Sequence, residues 1–286
     1  MLTRRGFLTS TGAAVLRAQE RRPTMFGNGD AYERFMGRWS RKLAPLLVDF
    51  AGLPDGGEVL DIGCGTGVLT FAIAERKAGL HVMGLDRSKA YVTFAQSSNR
   101  FGDRVRFQVG DAQQLPFPNA SFAAALSLLV FNFVPDPGKA LREARRVVRP
   151  GGSVSAAVWD YGDGMRMLRV FWDAAVSVDA GAARHDEKLM PLCQAGRLTK
   201  LWKDGGLEDV REQPIEIRMD FRSFADYWDP FLLGQGVAGP YLTGLDRPRV
   251  DAIRTEVKKR LKVTSEEKAF SLPARVWAVR GKVGRG

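Results

Sequence analysis

A glycine-rich segment after a short apolar run has the residue types of a ligand-binding loop. Residues 59–67 read VLDIGCGTG, so that an acid at Asp61 is followed by Gly63, Gly65 and Gly67. Glycine lets the backbone turn tightly and approach a ligand without a Cβ in the way. The spacing is neither the dinucleotide-binding G-x-G-x-x-G nor a P-loop, because no Gly-Lys-Ser/Thr follows. The segment predicts a ligand-binding loop of another kind, with a tight turn that binds nothing as the alternative.

Two further acids follow the next apolar runs along the chain. Asp86 ends the second run, and Asp111 lies in Gly110-Asp111-Ala112 after the third. A carboxylate at the first position can accept hydrogen bonds from two ribose hydroxyls, and one at the second can accept from an adenine amino group. Ligands of open parallel sheets bind at the carboxyl ends of the strands. The positions of Asp86 and Asp111 are therefore suited to such hydrogen bonds and strengthen the prediction of a ligand-binding loop.

The elements that must position these acids alternate between strand and helix, which is typical of a parallel sheet covered by helices on both faces. After Tyr161 the alternation lapses into a helix, a mixed segment and two more strands separated by a helical section. We therefore predict an α/β, Rossmann-like, mostly parallel sheet with helical insertions in the C-terminal third. The predicted strands are 59–62, 81–85, 105–109, 123–130, 153–159, 207–221 and 272–279, and the first helices are 68–76, 89–99 and 137–148.

Four blocks between about residues 43 and 161 resemble the class I S-adenosylmethionine-dependent methyltransferases. They read VLDIGCGTG, VMGLDRS, GDAQQLPFPNASF and RVVRPGGSV. The resemblance implies a class I methyltransferase fold with S-adenosylmethionine as cofactor. It also implies a leading helix over Tyr32–Trp39 that closes over the pocket.

The same resemblance implies a role for individual residues. Gly63, Cys64 and Gly65 would lie under the methionine part of the cofactor, and Asp61 would hold its ammonium group. Asp86 would bind the ribose, Asp111 with Ala112 the adenine, and Leu128 would offer backbone contacts beside the sulfonium. The full predicted cofactor site is Asp61, Gly63, Cys64, Gly65, Gly67, Asp86, Arg87, Asp111, Ala112 and Leu128.

The methyl acceptor is harder to infer, because methyl transfer mainly requires alignment of the reactants and exclusion of water. Enzymes that methylate amino groups of DNA bases or glutamine carry Asn/Asp-Pro-Pro-aromatic after the fourth strand, but here Asn132 precedes Phe133. Cytosine-C5 enzymes need a Pro-Cys nucleophile, and neither Cys64 nor Cys193 follows a proline. The catalytic residue stays unassigned, and no metal is expected.

Aromatic side chains cluster where an acceptor should bind, and a mostly apolar cleft suits a small organic molecule. The alternative for each of them is packing in the core. His185, Asp186 and Glu187 together offer a candidate base, although a solvated loop is the favoured interpretation of that segment. The predicted acceptor-pocket residues are Tyr32, Trp39, Phe131, Trp159 and Tyr161, with Phe133, Tyr227 and Trp228 as further candidates.

The charge of the chain is concentrated at its ends. The 43 Lys and Arg against 32 Asp and Glu give a net charge of +11, yet residues 46–245 carry a slight acidic excess. The basic ends favour a solvated helix face and a leader over a nucleic-acid partner. Two alternatives remain, namely a protein that binds S-adenosylmethionine without catalysis and an RNA methyltransferase that docks through its basic ends.

The first residues resemble an export signal. Arg4-Arg5 precedes a mildly apolar stretch, as in a twin-arginine signal, but Arg17 ends that stretch early and no A-x-A site follows. We therefore expect 1–24 to be a leader or an overlong start, and 25–286 to form a single methyltransferase domain. Its cofactor-binding core would span about 43–161, and its acceptor-side insertions and last strands about 162–283. No apolar run approaches the roughly 20 residues of a membrane span, so no membrane-spanning helix is expected. Because S-adenosylmethionine is a cytosolic metabolite, the protein is expected in the cytoplasm.

Overall fold

Seven strands form one sheet in the order β3-β2-β1-β4-β5-β7-β6. The structure, a computed structural model, describes residues 29–285, so the leader-like segment 1–24 and Met25 lie outside the described residues. Strands β1 to β5 are parallel to one another, whereas β7 runs antiparallel between β5 and β6. The strands are β1 Gly57–Ile62, β2 Leu80–Asp86, β3 Val105–Val109, β4 Phe122–Leu128, β5 Val148–Trp159, β6 Glu208–Phe221 and β7 Phe270–Lys282.

Helices cover both sides of this sheet, which confirms the predicted Rossmann-like architecture. Ten α-helices are present in residues 29–285, and α6 to α10 make up the insertions around the last two strands. They are α1 Gly29–Tyr32, α2 Arg38–Ala51, α3 Val68–Arg76, α4 Lys89–Ser97, α5 Pro137–Val147, α6 Arg166–Val178, α7 Arg197–Asp204, α8 Phe224–Trp228, α9 Ala238–Thr243 and α10 Arg247–Leu261.

Local chemistry explains where several helices begin. The side chain of Asp136 accepts a hydrogen bond from the Lys139 amide at 2.8 Å, and Pro137 follows at the first helical position of α5. The Asp246 side chain caps α10 in the same way. Such caps satisfy amide groups that a helix N-terminus leaves unpaired, and proline there gives up no hydrogen bond.

The fifth strand begins earlier than the sequence predicts. The structure starts β5 at Val148 and carries it through Pro150-Gly151-Gly152, which the sequence indicates as a turn before residue 153. The pairing of β4 with β5 shifts register between Phe122 and Ala124, opposite this segment. Gly151 has φ +79°, so the turn is present as an irregularity within the strand rather than before it.

The parallel strands at the centre are buried on both faces. Val59, Leu60 and Leu126 have no exposed surface, as expected for strands that helices cover on both sides. An acid, Asp61 of β1, is completely buried in this mostly apolar setting as well. A buried acid at the carboxyl end of a central strand marks where the site must lie.

Candidate functional site

The glycine loop between β1 and α3 combines tight packing with open space. Gly63, Gly65 and Gly67 have φ values of +76°, +53° and +89°, a region in which other residues are strained. A Cβ on Gly63 would lie 2.5 Å from a methyl carbon of Val130, whereas a Cβ on Gly65 would meet nothing within 4 Å. Gly63 is therefore required by packing, while Gly65 leaves room for a ligand.

Asp61 lies beneath this loop with one of its oxygens unpaired. Its Oδ2 accepts a hydrogen bond from the Thr70 hydroxyl at 2.6 Å. Its Oδ1 has no hydrogen-bond partner among residues 29–285, although it is buried. Burial raises the pKa of Asp61 to about 7, and the hydrogen bond from Thr70 opposes that rise. An unpaired buried carboxylate oxygen at a cavity is suited to a cationic ligand group.

Asp86, at the end of β2, joins two loops of the site. Its Oδ2 accepts a hydrogen bond from the Gly65 amide at 2.9 Å, and its Oδ1 accepts from the Ser88 amide at 2.8 Å. Burial raises the pKa of this carboxyl, and the two amide hydrogen bonds counteract the effect. Each carboxylate oxygen can accept more than one hydrogen bond, so Asp86 keeps capacity for a ligand.

Asp111 follows β3 and lies in a more open setting. Its Oδ1 accepts hydrogen bonds from the backbone amide of Gln113 at 2.8 Å and from the side-chain amide at 3.2 Å. The backbone hydrogen bond lowers the pKa of Asp111, so the side chain is ionised at neutral pH. Asp111 and its neighbour Ala112 border the same cavity as Asp61 and Asp86.

The leading helical segment closes one side of this cavity. It runs through α1, a π-helical turn at Glu33–Gly37, and α2, and we call residues 29–51 the leading helix. Tyr32, Phe35 and Met36 face the cavity from this helix. The Glu33 carboxylate accepts a hydrogen bond from the Thr66 hydroxyl of the glycine loop at 2.5 Å. π-Helical turns are frequent at functional sites, and here the turn is tied directly to the loop.

The cavity has a volume of about 590 Å³ and follows the carboxyl edge of the parallel strands. The order β3-β2-β1-β4-β5 places Asp111 and Asp86 at one end and the residues that end β5 at the other. Trp159 and Tyr161 line that second end together with Leu129, and the Trp159 indole nitrogen has no hydrogen-bond partner among the described residues. One end is thus rich in carboxylates and the other is mostly aromatic.

Three of the predicted site residues do not line this cavity. Trp39 is buried against Phe221, because it lies on the face of α2 that packs towards β6. Phe131 is 1% exposed and packs on Trp202 of α7. A Cβ on Gly67 would meet the ring of Phe71, so this glycine serves the turn into α3. The remaining predicted residues border the cavity, namely Asp61, Gly63, Cys64, Gly65, Asp86, Arg87, Asp111, Ala112, Leu128, Tyr32, Trp159 and Tyr161.

Of the three further aromatic candidates for the acceptor pocket, one lines the cavity and two pack in the core. Phe133 lines the cavity. Tyr227 is completely buried, and its hydroxyl donates a hydrogen bond to the Met167 carbonyl at 2.8 Å. Trp228 stacks on Phe224 in the core of the insertions. Because aromatic residues serve both core and pocket, their type alone could not separate the two groups.

The segment 185–187 is not the solvated loop that the sequence favours. His185 is exposed, but Asp186 is buried and forms a two-pronged ion pair with Arg169, at 2.9 and 2.7 Å. Glu187 is 4% exposed, accepts a hydrogen bond from the Trp172 indole at 2.8 Å, and lines the cavity. The ion pair with Arg169 of α6 turns this short charged segment inward. No periodic pattern in the sequence signals that contact.

The two cysteines are buried and free. Burial raises the pKa of the Cys64 thiol well above its usual range, which is opposite to what a nucleophilic cysteine needs. Among residues 29–285 no group of three or more His, Cys, Asp or Glu side chains is arranged to hold a metal ion. Nor does the described part of the chain contain a helix long and apolar enough to cross a membrane.

Comparison with known proteins identifies the domain. Residues 60–156 match the methyltransferase domain family. A 2-methyl-6-phytyl-1,4-hydroquinone methyltransferase from Synechocystis is 34% identical over 124 residues, which cover 43% of this chain and 39% of the relative. A 27-O-demethylrifamycin SV methyltransferase from Amycolatopsis mediterranei is 34% identical over 117 residues, 40% of this chain and 43% of the relative. The matched segment thus spans less than half the length of these relatives.

The fold has relatives among solved structures. Phosphoethanolamine N-methyltransferase 2 from Haemonchus contortus, in complex with S-adenosyl-L-methionine, superposes with a TM-score of 0.57 at 19% identity. The match covers 93% of this chain and 58% of that protein. The fold is that of the class I S-adenosylmethionine-dependent methyltransferases. Residues 60–156 are therefore similar to a methyltransferase domain, and this segment includes the four sequence blocks that carry the resemblance, except for Val59.

Proposed function

We propose that this protein binds S-adenosylmethionine in the cavity at the carboxyl edge of the sheet and transfers the methyl group to a small organic acceptor. One observation carries the proposal. Asp61, Asp86 and Asp111 lie at the carboxyl ends of three adjacent parallel strands and border a single cavity, which Gly65 borders as well with open space at its Cα.

The residues present fit the cofactor. The unpaired Oδ1 of Asp61 would accept from the ammonium group, and the space at Gly65 would admit the methionine chain. Asp86 would accept from the ribose hydroxyls and Asp111, beside Ala112, from the adenine amino group. The remaining wall at this end is formed by Gly63, Cys64, Arg87 and the end of β4 at Leu128.

The cofactor, when bound, supplies a methyl group on a positively charged sulfur that a nucleophile can displace in line. The protein's part is to align the two reactants and to exclude water. The leading helix covers the cavity through Tyr32, Phe35 and Met36, and the hydrogen bond between Glu33 and Thr66 fastens it to the glycine loop. Closing this helix over the bound molecules would remove water from the reacting atoms.

The acceptor end of the cavity supports a small, mostly apolar substrate. Trp159, Tyr161, Phe133 and Leu129 line it, and such walls are typical of sites for organic ligands. The relatives named above include a hydroquinone and a rifamycin methyltransferase, which agrees with an apolar ring-containing acceptor. Because S-adenosylmethionine is a cytosolic metabolite, the proposed reaction belongs in the cytoplasm.

Turnover is tested by incubating the protein with S-adenosylmethionine and fractions of a metabolite extract and measuring S-adenosylhomocysteine. We expect product with at least one small-molecule fraction, and less product with Asp86→Ala when the cofactor concentration is near the Kd of wild type. Binding of S-adenosylmethionine without product in every fraction would identify a non-catalytic binding protein instead. Product only with the RNA fraction would contradict the small-molecule acceptor.

A further inference from the structure

Glu187 is a buried acid at the acceptor end of the cavity, outside the proposed cofactor site. It lies on a short helical turn at Glu187–Leu189, between α6 and α7. Its Oε2 accepts a hydrogen bond from the Trp172 indole at 2.8 Å, and no hydrogen bond to Oε1 is formed by residues 29–285. Because Glu187 lines the cavity, this free oxygen is available to a molecule bound there.

Sheet order separates Glu187 from the nucleoside end of the cavity. Arg169 donates hydrogen bonds to the Tyr161 carbonyl at 3.3 Å and to the Asp186 carboxylate at 2.9 Å. These bonds hold the segment of Glu187 beside the residue that follows β5, whereas Asp111 follows β3. The order β3-β2-β1-β4-β5 puts four strand spacings between these two ends, or about 19 Å at about 4.8 Å per spacing. Glu187 is therefore placed to meet the acceptor and not the adenosine.

Within residues 29–285 no lysine or arginine forms an ion pair with this carboxylate. The guanidinium of Arg169, whose charge acts on Glu187, is held by Asp186 at 2.7 Å and by Asp173 at 3.1 Å. The ammonium group of Lys188 also pairs with Asp186, at 3.3 Å. A buried carboxylate with one indole donor and no ion pair is costly to keep in a fold. Such a group is usually retained for what it does in a site.

We propose, resting on the methyl transfer inferred above, that Glu187 accepts the proton of a hydroxyl group on the acceptor. The substrate is then an apolar molecule with an acidic hydroxyl, a phenol or an enol, that is methylated on oxygen. The acceptor oxygen forms a bond to the methyl carbon, and the carbon–sulfur bond breaks with its electron pair going to sulfur. The hydroxyl proton passes to Glu187, which later releases it to water.

The protonation behaviour of Glu187 suits this role. Burial raises its pKa to about 7, the charge of Asp186 adds to the rise, and the Trp172 hydrogen bond and Arg169 oppose it. The other titratable groups that respond to Glu187 are Tyr161 and Cys193, and burial keeps the pKa of both raised and both groups neutral. A base whose pKa lies near the working pH is the most effective in proton transfer. The proposed reaction should accelerate as the pH rises through about 7.

A neutral hydroxyl also fits the cavity better than an amine. An ammonium group would lose its hydration on entering the aromatic end of the cavity, because Asp61, Asp86 and Asp111 lie towards the other end and Glu187 would be left to compensate the charge. A hydroxyl enters uncharged and gives up its proton inside the cavity. An amine acceptor is therefore the outcome that the test must separate from a hydroxyl acceptor.

Three probes of similar shape separate the possibilities, namely 2-naphthol, its methyl ether and 2-(aminomethyl)naphthalene. Calorimetry would measure their affinities for the full chain saturated with S-adenosylhomocysteine, at pH 6 and pH 8. We expect 2-naphthol to bind wild type about tenfold more tightly than Glu187→Gln at pH 8, and the ether to bind both within twofold. The ratio of the affinity of 2-naphthol to that of its methyl ether should increase from pH 6 to pH 8 in wild type and stay constant in Glu187→Gln.

Glu143→Gln is the matched control, because Glu143 pairs with Arg146 on α5 and does not line the cavity. It should bind all three probes as wild type does. Equal affinity of 2-naphthol for wild type and Glu187→Gln would overturn the proposal. It would also be overturned if wild type bound 2-(aminomethyl)naphthalene more tightly than 2-naphthol, or did not bind 2-naphthol at all. Failure of wild type to bind S-adenosylhomocysteine would instead contradict the proposed function itself.

Discussion

At the scale of single residues, Asp61 makes cofactor binding depend on pH. Its pKa is raised to about 7 by burial, so the side chain is partly protonated at neutral pH in the free protein. A bound ammonium group favours the ionised form. We therefore predict that S-adenosylhomocysteine binds more tightly as the pH rises from 6 to 8, by up to about tenfold, and that binding near neutral pH releases protons. Calorimetry in two buffers of different ionisation enthalpy measures both effects.

Asp61→Asn is the control for this dependence. It preserves the shape of the side chain and a hydrogen-bond acceptor for Thr70 while removing the titration. The variant should bind more weakly than wild type at pH 8 and show little change with pH. An equally steep pH dependence in the variant would show that another group is responsible.

Two glycines with similar positive φ angles separate the effect of backbone strain from that of ligand contact. Gly65 and Gly102 have φ of +53° and +58°, and a Cβ on either would meet nothing within 4 Å. Alanine at either position should lower the free energy of unfolding by about 1–2 kcal/mol. Only Gly65→Ala should weaken S-adenosylhomocysteine binding, by tenfold or more, because only Gly65 borders the cavity. Thermal unfolding and calorimetry test this pair, and equal affinity in both variants would remove Gly65 from the site.

At the scale of elements, the leading helix depends on one hydrogen bond to the glycine loop. Thr66→Val removes the hydroxyl that donates to Glu33 and keeps the branched shape. A lost hydrogen bond of about 1 kcal/mol should accelerate dissociation of S-adenosylhomocysteine by about threefold to tenfold. Stopped-flow displacement measures this rate. The control variant Thr255→Val, on the exposed face of α10, should leave the dissociation rate unchanged. An unchanged rate in Thr66→Val would mean that the hydrogen bond between Thr66 and Glu33 does not hold the leading helix closed.

The sequence predicts the boundaries of some strands and helices more accurately than those of others. The alternation of apolar runs and helical stretches predicts β1 to β4 and α3 to within a few residues, because strands buried on both faces read as continuous apolar runs. The acids at the strand ends follow directly from those boundaries. The predicted start of β5 was wrong because a Pro-Gly-Gly turn normally interrupts a strand. Here the turn lies within the strand, where the pairing with β4 shifts register.

The acceptor end was predicted less well for a physical reason. Trp39 and Trp159 are both almost fully buried, at 2% and 1% exposure, but only Trp159 borders the cavity. The hydrophobicity of a residue predicts that it is buried, but not whether it is buried in the core or at the wall of a cavity. The sequence names Glu187 as part of a candidate base but favours a solvated loop, because its inward position depends on an ion pair between Arg169 and Asp186 that no local pattern reveals.

At the scale of the whole molecule, several basic side chains near the C-terminus pair with acids within the fold. Arg254 and Lys258 both pair with Glu266, and Arg275 pairs with Asp160 at 2.6 Å. Charges neutralised in this way release few counterions on binding a polyanion. We predict no saturable binding of a 20-nucleotide RNA by the full chain at 150 mM salt, measured by fluorescence anisotropy. Tight binding with a steep salt dependence would favour the RNA methyltransferase alternative.

The central claim is that one cavity at the carboxyl edge of the sheet binds S-adenosylmethionine. Calorimetric titration of the full chain with S-adenosylmethionine tests it most directly, with Asp86→Ala as the site variant and Asp103→Ala, on the turn before β3, as the control. We predict one molecule bound per chain, an affinity lower by about 1–3 kcal/mol in Asp86→Ala, and no change in Asp103→Ala. No binding to wild type, or the same affinity in all three proteins, would contradict the account.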